Sequence, residues 1–334
     1  MSLRTMRSAA KRAVAWALRA RARRQLAGHG LAILMLHKVA APADELNLAL
    51  RPEWFSLVLE EIAAVGPVLD LGDPELAAKV AASDGVCFAI TFDDGYRDNF
   101  LEAWPRLKQR SLPASIFLSV DHVRGARSFW YERLAHCVRH LPAGPLSLTR
   151  WGLGTFVVPQ EESRRALRLE LDDALKQLSD DARESCMSAL EPPHVAGMTE
   201  AQISPMLRWD EIRQMSPDIR FGSHTLSHCI LSRESRPRVR EELRESRRII
   251  AGETGSDVTL FAYPNGRPID YSPEVIEEVR DAGYRLAVTT SPGIVRGFDR
   301  PFELTRCNVY DGMCSDGAGG FSRDLFWAKL CNVL

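Results

Sequence analysis

Six short, almost purely apolar runs recur along the chain: residues 31–36 (LAILML), 87–92 (CFAITF), 114–120 (ASIFLSV), 218–222 (DIRFG), 258–263 (VTLFAY) and 285–290 (RLAVTT). Runs of this length without polar alternation are the pattern of strands buried on both faces. Helix-like stretches separate them, at 52–65, 74–82, 98–110, 210–215, 237–253 and 273–282, each opening on the proline or aspartate that helix N-termini prefer. Strands alternating with helices predict an α/β fold whose sheet is parallel, either open or closed into a barrel. The 334 residues suffice for one large domain of this kind or two smaller ones. Residues 121–205 break the rhythm with FWYERLAHCVRHL, a strand-like SLTRWGLGTFVV and a charged helical run over 161–190, and are expected to form an insertion with its own structure.

The residues just after each predicted strand bear on function. The first run ends at His37, the second at Asp93, Asp94 and Gly95, the fourth at Ser223 and His224, and the fifth at Pro264, Asn265 and Gly266. In a parallel α/β fold the C-terminal strand ends share one rim, so these four polar clusters are expected to converge on one cleft. His224 and His228 stand four residues apart, and one helical turn would put both imidazoles on the same side, close enough to share a metal. Two imidazoles and one carboxylate make a three-ligand site with room for water. Within DDG one aspartate would then ligate the metal while the other stays free as a general base; the plainer reading is a turn with two solvated acids. Asp98 is expected to cap the following helix, and Gly95 to let the backbone turn at the rim.

Taken together, TFDDGY (residues 91–96) and SHTLSH (223–228) resemble the polysaccharide deacetylase superfamily, carbohydrate esterase family 4. The resemblance spans roughly residues 31–120 and 205–310. It implies a distorted (β/α)7-type barrel and metal-dependent removal of N-acetyl groups from an amino-sugar-containing saccharide. By motif position it implies Asp93 as base and Asp94, His224 and His228 as ligands of a divalent metal, most commonly Zn2+ and sometimes Co2+ or Ni2+. No histidine follows His228, so the family's acid histidine is not at its usual C-terminal place. LMLHKV (34–39) supplies it at the other end, an order that resembles the circularly permuted branch containing poly-N-acetylglucosamine deacetylases. His37 therefore takes the acid role, against the alternative of a core histidine closing a strand. FAYPNG (261–266) is similar to the third motif, which implies the Asn265 backbone N–H as an oxyanion donor. The arginine that many members carry in that motif is Ala262 here. Arg306 could approach Asp93 from elsewhere, although a surface or salt-bridged arginine is the favoured reading.

Composition adds limits. Lys and Arg number 43 against 44 Asp and Glu, so nothing global points to nucleic acid. Residues 1–28 form a separate segment: between Met1 and Ala27 lie eight basic residues and no acidic one, a pattern expected to form a basic helix with peripheral contact to an anionic membrane or, equally, a solvated one. Its longest apolar run, residues 13–18, is shorter than a signal-peptide core, and with seven scattered cysteines this predicts a cytoplasmic chain, if membrane-associated then on the inner face. A substrate there would be a lipid-linked or other membrane-proximal glycan. Two other function classes remain: a metal amidohydrolase of the same fold acting on a non-sugar amide or cyclic ureide, and a non-catalytic glycan-binding protein. Trp130, Tyr131 and Trp151 in the insertion would suit stacking on sugar rings or a core. Sugar identity, chain length and oligomeric state are not legible.

Overall fold

The computed structural model describes residues 21–22, 24–41, 48–160, 164–191 and 204–333. The expected basic helix of residues 1–28 falls mostly outside them. All six apolar runs are strands: β1 (Gly30–Leu36), β2 (Val86–Phe92), β3 (Ala114–Leu118), β4 (Ile219–Ser223), β5 (Leu260–Ala262) and β6 (Leu286–Val288), joined by a seventh, β7 (Cys307–Asn308). The sheet is parallel, in spatial order β6-β5-β4-β3-β2-β1-β7. Its longest ladder runs from Gly30↔Val86 to Leu36↔Phe92.

The residues before β7 close this sheet on itself. Leu304 bridges Val288 at the edge of β6, and four residues later Asn308 pairs with Met35 of β1. Leu304 N–H donates to Ala287 O at 3.0 Å and Val309 N–H to Met35 O at 2.8 Å, so one short segment ties both edges of a distorted barrel.

Alternation along the strands explains why their sequences look uniformly apolar. Leu31 and Ile33 of β1 and Cys87 and Ala89 of β2 point to the same inner cluster as Phe117, Leu260 and Val288. Ala32, Leu34, Leu36, Phe88, Ile90 and Phe92 point outward, against helices such as Pro52–Ala63 through Phe55, Val58 and Ile62. Both faces are covered, so a polar residue in either row would forgo the roughly 1.5–3 kcal/mol that burying a large aliphatic or aromatic side chain contributes.

The expected insertion is an ordered lobe. It holds the helix Trp130–His140, an antiparallel hairpin of Gly144–Ser147 and Thr155–Val158, and helices Arg164–Leu175 and Asp180–Leu190. Trp130, Leu134, Leu167, Leu171 and Met187 make a hydrophobic cluster of its own. Arg127, near the start of the insertion, donates to Asp180 at 2.8 Å, and the Asp180 N–H donates to Glu234 Oε1 of the barrel at 2.6 Å, fastening the lobe beside the rim.

Candidate active site

The inner row of β2 does not stop at Ala89. Period-two alternation carries it through Thr91 to Asp93, which points into the mouth of the barrel and is only 2 % exposed. A buried carboxylate needs a partner, and Arg306 provides it: Nη1 and Nη2 donate to Asp93 Oδ1 and Oδ2, both at 2.7 Å. The guanidinium is fully buried, with Nε donating to Thr289 O at 2.8 Å and Nη1 to Thr91 Oγ1 at 3.2 Å. Arg306 lies on the closing segment beside β7. The surface-arginine reading is thereby corrected. Burial alone would raise the Asp93 carboxyl, but the Arg306 charge, with His224 and His37 adding to it, holds the group below the usual range.

Asp94, 1 % exposed, faces the two histidines from the other side. Its Oδ1 lies 3.6 Å from His224 Nε2 and 3.4 Å from His228 Nε2, and the ligand atoms of all three residues fall within 4.8 Å of one another. Oδ1 is buried without a hydrogen-bond partner among the described residues. The solvated-turn reading of DDG thus fails on burial. Burial pushes the His224 imidazole down to about 4, and its Nδ1 lies 2.8 Å from Ala262 O, so the neutral ring donates through Nδ1 and presents a lone pair at Nε2. For Asp94 the raising effect of burial is outweighed by His228, His37 and His224, leaving the carboxylate ionised. Two imidazole nitrogens and an orphaned carboxylate oxygen at this spacing fit a divalent cation.

The histidine pair does not sit on a helical turn, as the spacing suggested. Residues 224–230 are irregular, and both Thr225 (φ 66°) and His228 (φ 58°) adopt left-handed backbone. Glu242, fully buried on the helix Arg236–Thr254, makes that loop possible. Its Oε2 accepts from Leu226 N–H at 2.8 Å and Ser227 N–H at 3.0 Å, and its Oε1 from the Ser227 hydroxyl at 2.7 Å. Sequence reasoning missed it, although an acid between Val239 and Leu243 on the buried helix face is a legible signal. Asp94 (φ 76°) and Asn265 (φ 59°) are also left-handed, so the rim carries four of the six such non-glycine residues among those described. Gly95 (φ 90°) turns the chain where a Cβ would meet Leu118 Cδ2 at 2.9 Å.

His37 comes directly after β1, and its charge bears on both aspartates; Nδ1 is buried without a partner among the described residues. Asn99 Nδ2 donates to His37 O at 2.9 Å. Asp98 occupies the N-cap position of the helical turn Asn99–Ala103, but its side chain makes no capping bond: its Oδ1 accepts from Val39 N–H at 2.8 Å and from Asn99 Nδ2 at 2.9 Å, and burial pushes its carboxyl up to about 6. The pair therefore ties the end of β1 to the loop after β2. Asn265 lies just beyond β5, its carbonyl accepting from Thr290 Oγ1 at 2.6 Å while Nδ2 is buried and unpartnered among the described residues.

The lobe reaches the site through Tyr131. Its hydroxyl donates to Asp94 Oδ2 at 2.9 Å, and its ring packs on Phe129 and His228 at centroid distances of 5.1 and 5.9 Å. Trp130 is buried in the lobe's own cluster and Trp151 packs against it, so neither forms an open platform for a sugar ring. All seven cysteines are free and buried, and no helix among the described residues is long and apolar enough to cross a membrane.

The polysaccharide deacetylase family model matches residues 156–287, which include His224 and His228 and begin after the paired aspartates. The putative polysaccharide deacetylase YxkH of Bacillus subtilis is 22% identical over 235 residues, covering 70% of this chain; the chain spans just over half, 56%, of that relative. Among solved structures, IcaB from Ammonifex degensii superposes with a TM-score of 0.57 at 19% identity, over 91% of this chain and 99% of that one. The Streptococcus pyogenes deacetylase PplD, solved with acetate, gives 0.54 at 18% identity over 85% and 94%. The BpsB deacetylase domain from Bordetella bronchiseptica gives 0.51 at 14% identity over 85% and 97%. These structural likenesses concern the fold.

Proposed function

We propose that this chain is a member of the polysaccharide deacetylase family, whose model matches residues 156–287, and a metal-dependent hydrolase that removes N-acetyl groups from an amino-sugar-containing saccharide and releases acetate. One observation carries the reading. An orphaned Asp94 Oδ1 meets His224 and His228 Nε2 beside a second carboxylate, Asp93, that an arginine holds ionised. Asp94, His224 and His228 would hold the cation, with Zn2+ the first choice for two imidazoles and a carboxylate and Co2+ or Ni2+ as alternatives. When bound, such a cation supplies Lewis acidity toward water and the acetamide carbonyl.

The remaining work falls to the chain's own residues. Asp93, free of the ligand set, accepts a proton from the attacking water. Arg306 keeps that carboxylate oriented and ionised, the task that Ala262 cannot perform at the family's usual position. The Asn265 N–H would donate to the oxygen that gains charge as water adds to the carbonyl carbon. His37, as imidazolium, gives a proton to the nitrogen as the C–N bond breaks, so that acetate and a free amine depart.

Acetate release with parallel metal analysis, across N-acetylated saccharides, glycolipids and non-sugar amides, tests the reading. Chelation should abolish release, Asp94→Asn and His228→Ala should lose metal, and Asp93→Asn should keep metal yet be inactive. Full activity in a verified metal-free sample would sink the proposal.

A further inference from the structure

The two oxygens of Asp94 live in different surroundings. Oδ1 faces both imidazoles with no hydrogen-bond partner among the described residues, whereas Oδ2 accepts the Tyr131 hydroxyl at 2.9 Å. Tyr131 has one proton, and it goes to Asp94. Its oxygen can then only accept, so the 2.9 Å contact with the Tyr96 hydroxyl has Tyr96 as donor. Behind Tyr96 stands Glu132, whose Oε1 takes Lys38 Nζ and the Ser204 hydroxyl, each at 2.6 Å. Glu132 is therefore satisfied without the Tyr96 proton, 3.3 Å away, which stays committed to Tyr131. The order is one-way: Tyr96 donates to Tyr131, and Tyr131 donates to Asp94. Such a chain polarises its members in one sense and strengthens the last bond.

Tyr131 cannot easily swing away. Phe129 stacks on one side of its ring with planes 22° apart, His228 meets it at 63°, and the helix Trp130–His140 that carries it is seated in the lobe's hydrophobic cluster through Trp130, Leu134 and Cys137.

We infer that Tyr131 is a positioning residue for the metal: supplied by the inserted lobe, it occupies Asp94 Oδ2 and thereby reserves Oδ1 as the ligand atom, making the lobe a working part of the metal site. This rests on the metal-dependent reading of the site above. It also gives the lobe a purpose that stacking on a sugar ring does not, because Trp130 and Trp151 serve its core while the residue between barrel and lobe touches a ligand.

The test is the Zn2+ dissociation constant of the metal-free full chain, measured by competition with a chromogenic chelator, for wild type, Tyr131→Phe and Tyr96→Phe. Losing a hydrogen-bonding group behind a metal ligand weakens binding about 10- to 100-fold. Tyr131→Phe should show such a loss, with a metal-free melting temperature close to wild type because the ring and its stacking remain. Tyr96→Phe should show a smaller loss in the same direction, and it carries the test if Tyr131→Phe does not fold. Excess Zn2+ should restore most of the Tyr131→Phe acetate release, which damage to the fold would not allow. Zn2+ affinity unchanged within twofold in both variants overturns the inference, even in an active deacetylase. A wild type without Zn2+ affinity overturns it together with the metal-dependent reading. Zn2+ lost in Tyr131→Phe, with no acetate released by wild type from any substrate, supports the inference and overturns the function.

Discussion

Replacing Arg306 by methionine tests the electrostatic core of the site, because it removes one partner of a fully buried, doubly hydrogen-bonded pair and leaves Asp93 where it is. Removing one member of a buried ion pair costs about 3–5 kcal/mol. A second route gives a ceiling. The stranded carboxylate can escape its burial by taking a proton, and holding one at pH 7 on a group that titrates near 3.9 when unfolded costs roughly 4 kcal/mol at about 1.36 kcal/mol per unit. The two figures agree, and the second predicts a pH dependence. In the wild type the Asp93 carboxyl is held below its unfolded value, so its stabilising contribution is complete above about pH 3.9 and is lost only as pH falls through the lower folded value. In Arg306→Met burial dominates, and the folded value rises above the unfolded one. Folded protein then binds the extra proton, and the variant's stability falls as pH rises, by about 1.4 kcal/mol per unit, from near pH 4 up to the new folded value. Urea unfolding at pH 5, 6 and 7 should show the gap from wild type widening at about that slope. The same shift moves the acid limb of kcat/KM upward by about 3–5 units, because a protonated Asp93 could not serve as the proposed base. Stability curves that run parallel from pH 5 to pH 7, together with an unmoved acid limb, would refute the reasoning.

His37→Ala should erase the alkaline limb of the kcat/KM profile while leaving Zn2+ content unchanged; a limb that persists would move the acid role to another group. Glu242→Gln cannot accept all three bonds from Leu226 and Ser227, since its amide nitrogen only donates, and a buried donor left unpaired costs about 1–3 kcal/mol. Its loop then holds His228 less firmly, so calorimetry should report weaker Zn2+ binding alongside lower stability. Stability lost with Zn2+ affinity intact would confine Glu242 to a role in folding.

Much of the fold was legible because burial on both faces of a strand excludes polar residues, and six runs therefore stand out. β7 was not legible, since two residues, Cys307 and Asn308, carry no period. Asp93, Asp94 and His224 stood out because they come directly after such strands, and His228 by its spacing from His224; the structure brings Asp94, His224 and His228 together, yet without the helical turn expected between the histidines. The spacing is set by a loop with two left-handed residues that a distant glutamate holds in place. The same locality explains Asp98, which fits a helix N-terminus in sequence but bonds across to Val39.

By itself the chain's order of residues determined which strand ends carry clustered ionisable side chains, because periodicity and turn residues act over a few positions. Only the tertiary structure decided which of those groups are paired. Arg306 meets Asp93 across 213 positions, and Tyr131 meets Asp94 from a separate lobe. A guanidinium or phenol looks the same in sequence whether it faces solvent or a buried carboxylate. Its role comes from desolvation and hydrogen-bond geometry, and both exist only once the barrel has closed and the lobe has docked.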